Sequence, residues 1–222
     1  MLSPTFPRLD ILPRAQQSLW PELCQIPPAF TLYGGTAIAL YLGHRESVDF
    51  DFFGTDEFRP LDLLSSLPFL SNATVTQSEP NTLSVIVYRD DDPVKLSFFG
   101  LPKIRPLAQP SLCSDINLKV ATLLDLAGMK AAVVQQRAEA KDYIDIDALL
   151  TYGVTDLATA LGAAKAIYGT HFSPTSTLKA LTYFGEPTLA DLPAALKKRL
   201  AIAVQNMDQK SIPKIDVWDG LQ

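Results

Sequence analysis

Asp49 and Asp51 flank Phe50 in the stretch Arg45-Glu46-Ser47-Val48-Asp49-Phe50-Asp51-Phe52-Phe53, where polar and apolar residues alternate. A β-strand sends successive side chains to opposite faces. The pattern therefore predicts a strand over residues 48–53, with Arg45, Ser47, Asp49 and Asp51 on one face and Val48, Phe50 and Phe52 on the other. Alternate residues of a strand lie about 7 Å apart, a spacing that lets two carboxylates hold a pair of divalent cations. Like charges that close repel unless a cation lies between them. Alternation alone is equally the mark of a strand with one wet face, but a second stretch changes the balance. Gly34-Gly35-Thr36 lies between the apolar run Phe30–Tyr33 and an Ala- and Leu-containing segment ending at Leu42. A glycine turn from strand to helix presents bare backbone N–H groups at the positive helix end, where phosphate oxygens bind, and Thr36 adds a hydroxyl donor.

Such residues need a scaffold to hold them. The chain has 222 residues, 47% hydrophobic and 19% charged, which places it among folded rather than disordered sequences and allows a sizeable core. From Phe30 to Leu101 the pattern is short apolar or alternating runs separated by turn residues. From Lys119 to Gln209 it is long, Ala- and Leu-rich and helical. Pro102, Pro106 and Pro110 mark the connection. The expectation is an α/β (α+β) fold: a mixed β-sheet with helices over residues 1–112, followed by an all-α part over residues 113–222. The spacing predicts a strand over Phe30–Tyr33, a helix over Thr36–Leu42, and a hairpin of Leu83–Tyr88 and Val94–Phe99 around the Asp-rich turn Arg89–Pro93. Beyond it, Thr122 with Asp125 starts a helix reaching Gln136, and Gly153 ends the next. Further helices are expected over Asp156–Tyr168, Ser173–Tyr183 and Leu192–Gln205.

The net charge of −5 argues against a protein that coats nucleic acid nonspecifically, since that mode neutralises many phosphates. Cys24 and Cys113 match no zinc spacing and are expected to be small buried apolar residues in a reduced compartment. No apolar run approaches the roughly 20 residues that cross a bilayer, and Met1–Arg8 carries prolines where a signal peptide has its apolar core. A cytoplasmic protein without membrane contact is expected. His44 and His171 are the only histidines, and His44 is assigned to packing or surface. Tyr33 and Tyr41 are expected to fill the core.

Two blocks resemble the nucleotidyltransferase-like AbiEii/AbiGii toxin family, within the wider polymerase-beta-like nucleotidyltransferase fold. The first is Gly34, Gly35, Thr36, Ala39 and Leu40 followed by Arg45, Ser47, Asp49, Phe50, Asp51 and Phe52. The second is Lys130, Arg137, Lys141, Asp142 and Asp145. The resemblance covers about Phe30 to Leu150 and implies transfer of a nucleoside monophosphate from an NTP to an acceptor, with release of pyrophosphate. Asp49 and Asp51 would then hold Mg2+ or Mn2+ and act in catalysis with Lys130 and Asp142. Gly34, Gly35, Thr36, Arg45, Ser47, Arg137 and Lys141 would bind the nucleotide. The resemblance further implies the toxin half of a toxin–antitoxin or phage-defence pair, with a separate antitoxin protein and with tRNA, other RNA or a protein as acceptor.

Lys130, Arg137 and Lys141 would line one face if their helix were continuous. They would then supply cations to the triphosphate, and replacing them would leave stability almost unchanged. An ordinary solvated helix of mixed charge is the plainer reading of the same residues. The chain departs from the wider fold at Ser97, where a neighbouring strand would supply a third carboxylate. A hydroxyl is a weak neutral ligand and a poor general base. Two alternatives therefore stand beside the transferase: a nucleotide- or partner-binding relative without turnover, and a small-molecule nucleotidyltransferase of the antibiotic-modifying kind.

Overall fold

The computed structural model of the chain describes residues 6–218 and divides into two compact units. One contains the described residues up to Arg105 together with Pro110–Ala121, and the other contains Pro106–Gln109 with the described residues from Thr122 onward.

The first unit is built on a seven-stranded sheet. Its elements are α1 (Arg14–Leu19), β1 (Phe30–Tyr33), α2 (Gly34–Leu42), β2 (Asp49–Gly54), α3 (Pro60–Ser66), β3 (Thr74–Glu79), β4 (Thr82–Arg89), β5 (Asp92–Gly100), β6 (Ser111–Cys113) and β7 (Leu118–Val120). The sheet order is β3-β4-β5-β2-β1-β7-β6. β2 lies at its centre, antiparallel to β1 and parallel to β5. Leu32, Phe50, Phe52, Leu83, Val85, Leu96 and Phe98 are wholly buried and form the apolar face. Phe52 and Phe98 stack across the β2–β5 pair with centroids 5.1 Å apart, the cross-strand pairing that fixes register. The hairpin turn places Asp90 and Asp91 at φ 52° and 68°, the two positive dihedrals that a two-residue turn matching strand twist requires. Asp90 accepts a hydrogen bond from the Ser18 hydroxyl (2.5 Å), and Arg89 grips Glu22 at 2.6 and 2.9 Å. The turn is thereby tied to the N-terminal segment.

Three strands have no counterpart in the expected elements. All six residues of β3 are exposed, so it carries no buried alternation to read. β6 and β7 have three residues each, too few for a period. The expected strand 48–53 begins instead at Asp49. Ser47 is buried and Val48 is 59% exposed, the reverse of the expected alternation, because residues 45–48 form a loop. Tyr33 and Tyr41 are buried as expected. Cys113 is buried, but Cys24 is exposed, which corrects the reading of both as core residues: Cys24 lies in a 3-10 turn over Trp20–Gln25 whose buried residues are Trp20 and Leu23.

The second unit is helical: α4 (Leu123–Val133), α5 (Ala140–Thr151), α6 (Leu157–Tyr168), α7 (Pro174–Ala180) and α8 (Ala194–Gln205). Tyr143, Leu161, Leu181, Leu189 and Leu200 lie at the centre of its core. The Thr122 hydroxyl accepts the Asp125 backbone N–H as an N-cap (3.2 Å). Asp125 is itself buried, accepting from the Leu107 N–H (2.7 Å) and the Thr122 hydroxyl. Among the described residues no helix is long and apolar enough to cross a membrane.

Two outcomes follow from these environments. Burial pushes the Cys113 thiol up to about 12, so at neutral pH a thiol reagent should label Cys24 alone in the native protein and both cysteines after unfolding; rapid labelling of Cys113 in native protein would contradict this packing. Burial also raises the Asp125 carboxyl above its ordinary 3.8, against the opposing pull of the Thr122 and Leu107 hydrogen bonds. Its favourable contribution is therefore complete below pH 3.8 and lost as pH rises through the raised value. Asp125→Asn should gain urea stability relative to wild type as pH increases across that window, and a pH-independent difference would count against it.

Candidate active site

The first block comes together around the start of α2. Gly34 adopts φ +76°, and an ideal Cβ built on it would lie 2.5 Å from Asp51 Oδ2. A Cβ on Gly35 would collide with the Arg45 guanidinium and reach within 3.1 Å of Ser47 Oγ. Both glycines stand where backbone passes close to side chains, and at Gly34 the positive φ favours glycine whatever the space. The loop of residues 45–48 lays Arg45 and Ser47 over Gly35, while β2 brings Asp51 to Gly34.

Asp49 and Asp51 are partly exposed and alternate with the buried Phe50 and Phe52. β5 pairs Lys95 with Asp49 and Ser97 with Asp51, so those four side chains share one sheet face. Ser97 is buried, and its hydroxyl accepts from Ser84 across the β4–β5 pair (3.2 Å). The strand position beside Asp51 thus holds a hydroxyl pair. The Thr36 hydroxyl is fully buried and donates to the Asp49 carbonyl (2.5 Å). It pins the first turn of α2 to β2 and is occupied there, unlike the phosphate donor expected of it.

Two carboxylates, a hydroxyl pair and a glycine backbone present only hard oxygen donors. That set suits Mg2+ or Mn2+, which are held by one or two carboxylates with substrate phosphates and water completing the shell. The Asp51 carboxylate itself lies against the Gly34 backbone, where a Cβ would stand. Among the described residues no group of three or more His, Cys, Asp or Glu is arranged to hold a metal ion.

The second block lies in the helical unit, where the condition of one continuous helix is not met. α4 ends at Val133 and α5 begins at Ala140, so Arg137 stands in the connection and the three cations do not share one helix face. Lys130 is buried, with Nζ 2.6 Å from both Asp142 Oδ1 and Asp145 Oδ2, and both aspartates are fully buried. Arg137 donates from Nε to Asp142 Oδ2 (2.8 Å) and from Nη2 to Asp142 Oδ1 (3.3 Å). Arg137 also reaches Glu139 Oε1 from Nη1 (3.4 Å), which extends the network to the protein surface. Arg137 and Lys141 remain half-exposed, Lys141 pairing with Glu139 at 3.1 Å. Periodicity cannot reveal this arrangement, because the ionic contacts cross a chain reversal.

Removing Lys130 leaves two carboxylates buried without their shared cation, a change that costs about 3–5 kcal/mol. Lys130→Met should lower the free energy of unfolding by that order in urea titration, the opposite of the near-neutral effect expected of a solvent-facing lysine. A loss below about 1 kcal/mol would show the network to be dispensable.

A model of the family described as nucleotidyl transferase AbiEii toxin, type IV toxin–antitoxin system, matches residues 23–216. An uncharacterized protein of Aquifex aeolicus (strain VF5) is 35% identical over 120 residues, 53% of this chain and 55% of that protein. The chain thus spans about half the length of the curated relative it matches. With a family match that includes both blocks and most of the residues between and around them, the chain belongs to the AbiEii nucleotidyl transferase toxins of type IV toxin–antitoxin systems.

Proposed function

We propose that this protein is a metal-dependent nucleotidyltransferase that moves a nucleoside monophosphate from an NTP to a hydroxyl of an acceptor. The observation that carries the reading is the approach of the Gly34-Gly35 backbone to Asp51, Arg45 and Ser47. It joins a phosphate-binding turn, a guanidinium and a carboxylate in one place. Mg2+ or Mn2+ bound by Asp49 and Asp51 would neutralise phosphate charge and orient the reacting oxygens. Gly34, Gly35, Arg45 and Ser47 would hold the β- and γ-phosphates, and Lys95 adds positive charge on the same face. The acceptor oxygen forms a bond to the α-phosphorus while the bond to the bridging oxygen breaks. Pyrophosphate leaves with that electron pair, and the hydroxyl proton passes to solvent.

Thr36 acts by keeping α2 in place against β2. In the helical unit Asp142 fixes the Arg137 guanidinium and Lys130 holds Asp142. Arg137 and Lys141 are therefore assigned to anionic groups of substrate, and Lys130 and Asp142 to positioning. The family supplies the setting, a toxin paired with an antitoxin, and RNA, including tRNA, is the acceptor class we favour. The Ser97–Ser84 hydroxyl pair beside Asp51 supports a second reading, a nucleotide-binding protein without turnover. Incubation with labelled NTPs, magnesium and total RNA separates them: labelled RNA supports transfer, labelled small molecule an antibiotic-type activity, and no labelled product the binding module.

Asp51→Asn should weaken manganese-dependent NTP binding by at least about tenfold, the effect of losing a charge-assisted contact. Its thermal midpoint should change little, because the side chain is partly exposed. NTP affinity equal to wild type would remove Asp51 from the site, and unfolding would make it structural.

A further inference from the structure

The sheet face bearing Asp49 and Asp51 does not remain polar along β2. One pleat beyond Asp51, about 7 Å, stands Phe53, and the register that sets Ser97 beside Asp51 sets Phe99 beside Phe53. Their rings meet edge to face, with centroids 5.3 Å apart and planes at 86°. Phe53 also stacks on the buried Tyr33 at 5.0 Å and 18°. Phe50, Phe52 and Phe98 on the opposite face are wholly buried, whereas Phe53 and Phe99 are partly exposed. Two large rings held rigidly by neighbours yet left partly in water, beside a row of charged and hydroxyl groups, are unusual for core packing and suit a flat ligand.

Their direction from the phosphate turn gives this pair its meaning. Tyr33, which precedes Gly34, pairs with Asp51, while Thr31 pairs with Phe53. Phe53 and Phe99 therefore lie on the far side of Asp51 from Gly34-Gly35. In an in-line displacement the entering and leaving oxygens stand on opposite sides of the phosphorus. With pyrophosphate leaving toward the glycine turn, the entering hydroxyl arrives from the phenylalanine side.

We propose that Phe53 and Phe99 form the acceptor subsite, a shelf on which a nucleobase adjoining the attacking hydroxyl of a single-stranded RNA end stacks. The proposal rests on the transfer reading for its direction. Stacking on aromatic rings tolerates any base, so the shelf would recognise an unpaired end rather than a sequence. Thr31 and Thr82 flank the two rings in the register and bound the shelf with hydroxyl-bearing side chains.

The test uses the full chain and two fluorescein-labelled probes of equal length, a short oligoadenylate and an abasic strand with the same backbone, followed by anisotropy without nucleotide. Mant-ATP with Mn2+ is titrated separately. Wild type should prefer oligoadenylate by roughly tenfold or more. Phe53→Leu and Phe99→Leu, which keep apolar volume but remove a ring, should lose the preference while binding mant-ATP as wild type does. Phe53→Tyr should retain it. Absence of the preference in wild type overturns the proposal whatever the variants do, as does its survival in both leucine variants. Loss of mant-ATP binding in folded leucine variants would instead assign the shelf to the donor base and equally overturn it. Failure of wild type to bind mant-ATP would strike the transfer reading, whereas the oligonucleotide comparison still decides the shelf.

Discussion

Backbone and side chain approach most closely where α2 begins. With φ +76° at Gly34 and room for no Cβ against Asp51, the chain can turn from β1 into α2 only with glycine at that position. Gly35 packs against the Arg45 guanidinium and the Ser47 hydroxyl. The Thr36 hydroxyl then locks the turn to the Asp49 carbonyl. Strand, turn and helix are thereby held in one register, which keeps the partly exposed amides and carboxylates fixed relative to one another. Preorganisation of this kind is what binding a highly charged ligand demands, because fixed dipoles need not reorganise when the charge arrives.

The helical unit uses charge in the opposite way. Lys130 and Arg137 are paired with Asp142 and Asp145, both carboxylates out of water, and Arg137 also reaches Glu139. Desolvation makes such a network a weak source of net stability, but losing one member is expensive, so it specifies geometry more than it stabilises. The same types of residue that would read as a phosphate-binding face on a straight helix therefore act across the break between α4 and α5. The half-exposed side chains of Arg137, Glu139 and Lys141 carry the outer part of the network toward water.

Across the central strands of the sheet, one face is a ladder of phenylalanine and aliphatic side chains, and the other changes character along β2. Asp49 pairs with Lys95, Asp51 with Ser97, and Phe53 with Phe99. Each row is a distinct environment: two residues of opposite charge in register, a carboxylate beside buried hydroxyls, and two partly exposed rings. Neighbouring rows are only a pleat apart, about 7 Å.

Local pattern carried much of this. The alternation of Asp49, Phe50, Asp51 and Phe52, the glycine turn after Phe30–Tyr33, the Asp-rich hairpin and the Thr122 cap were legible because each depends on neighbours within a few residues. The short strands β6 and β7 and the exposed β3 were not, since pairing with distant strands creates them and no period marks them. The exposure of Val48 and burial of Ser47 followed from a loop that folds over Gly35, and strand alternation has no term for that. Lys130 was misjudged for the same reason. Sequence spacing counts residues along one helix, whereas its partners arrive from the next. Phe53 and Phe99 lie far apart in sequence, and only the parallel register of β2 on β5 sets them side by side. What the sequence determined alone was therefore the set of groups and their local geometry; which of them meet, and which are left facing water, was decided by tertiary packing, because contacts between distant segments depend on register and chain reversal that no local period encodes.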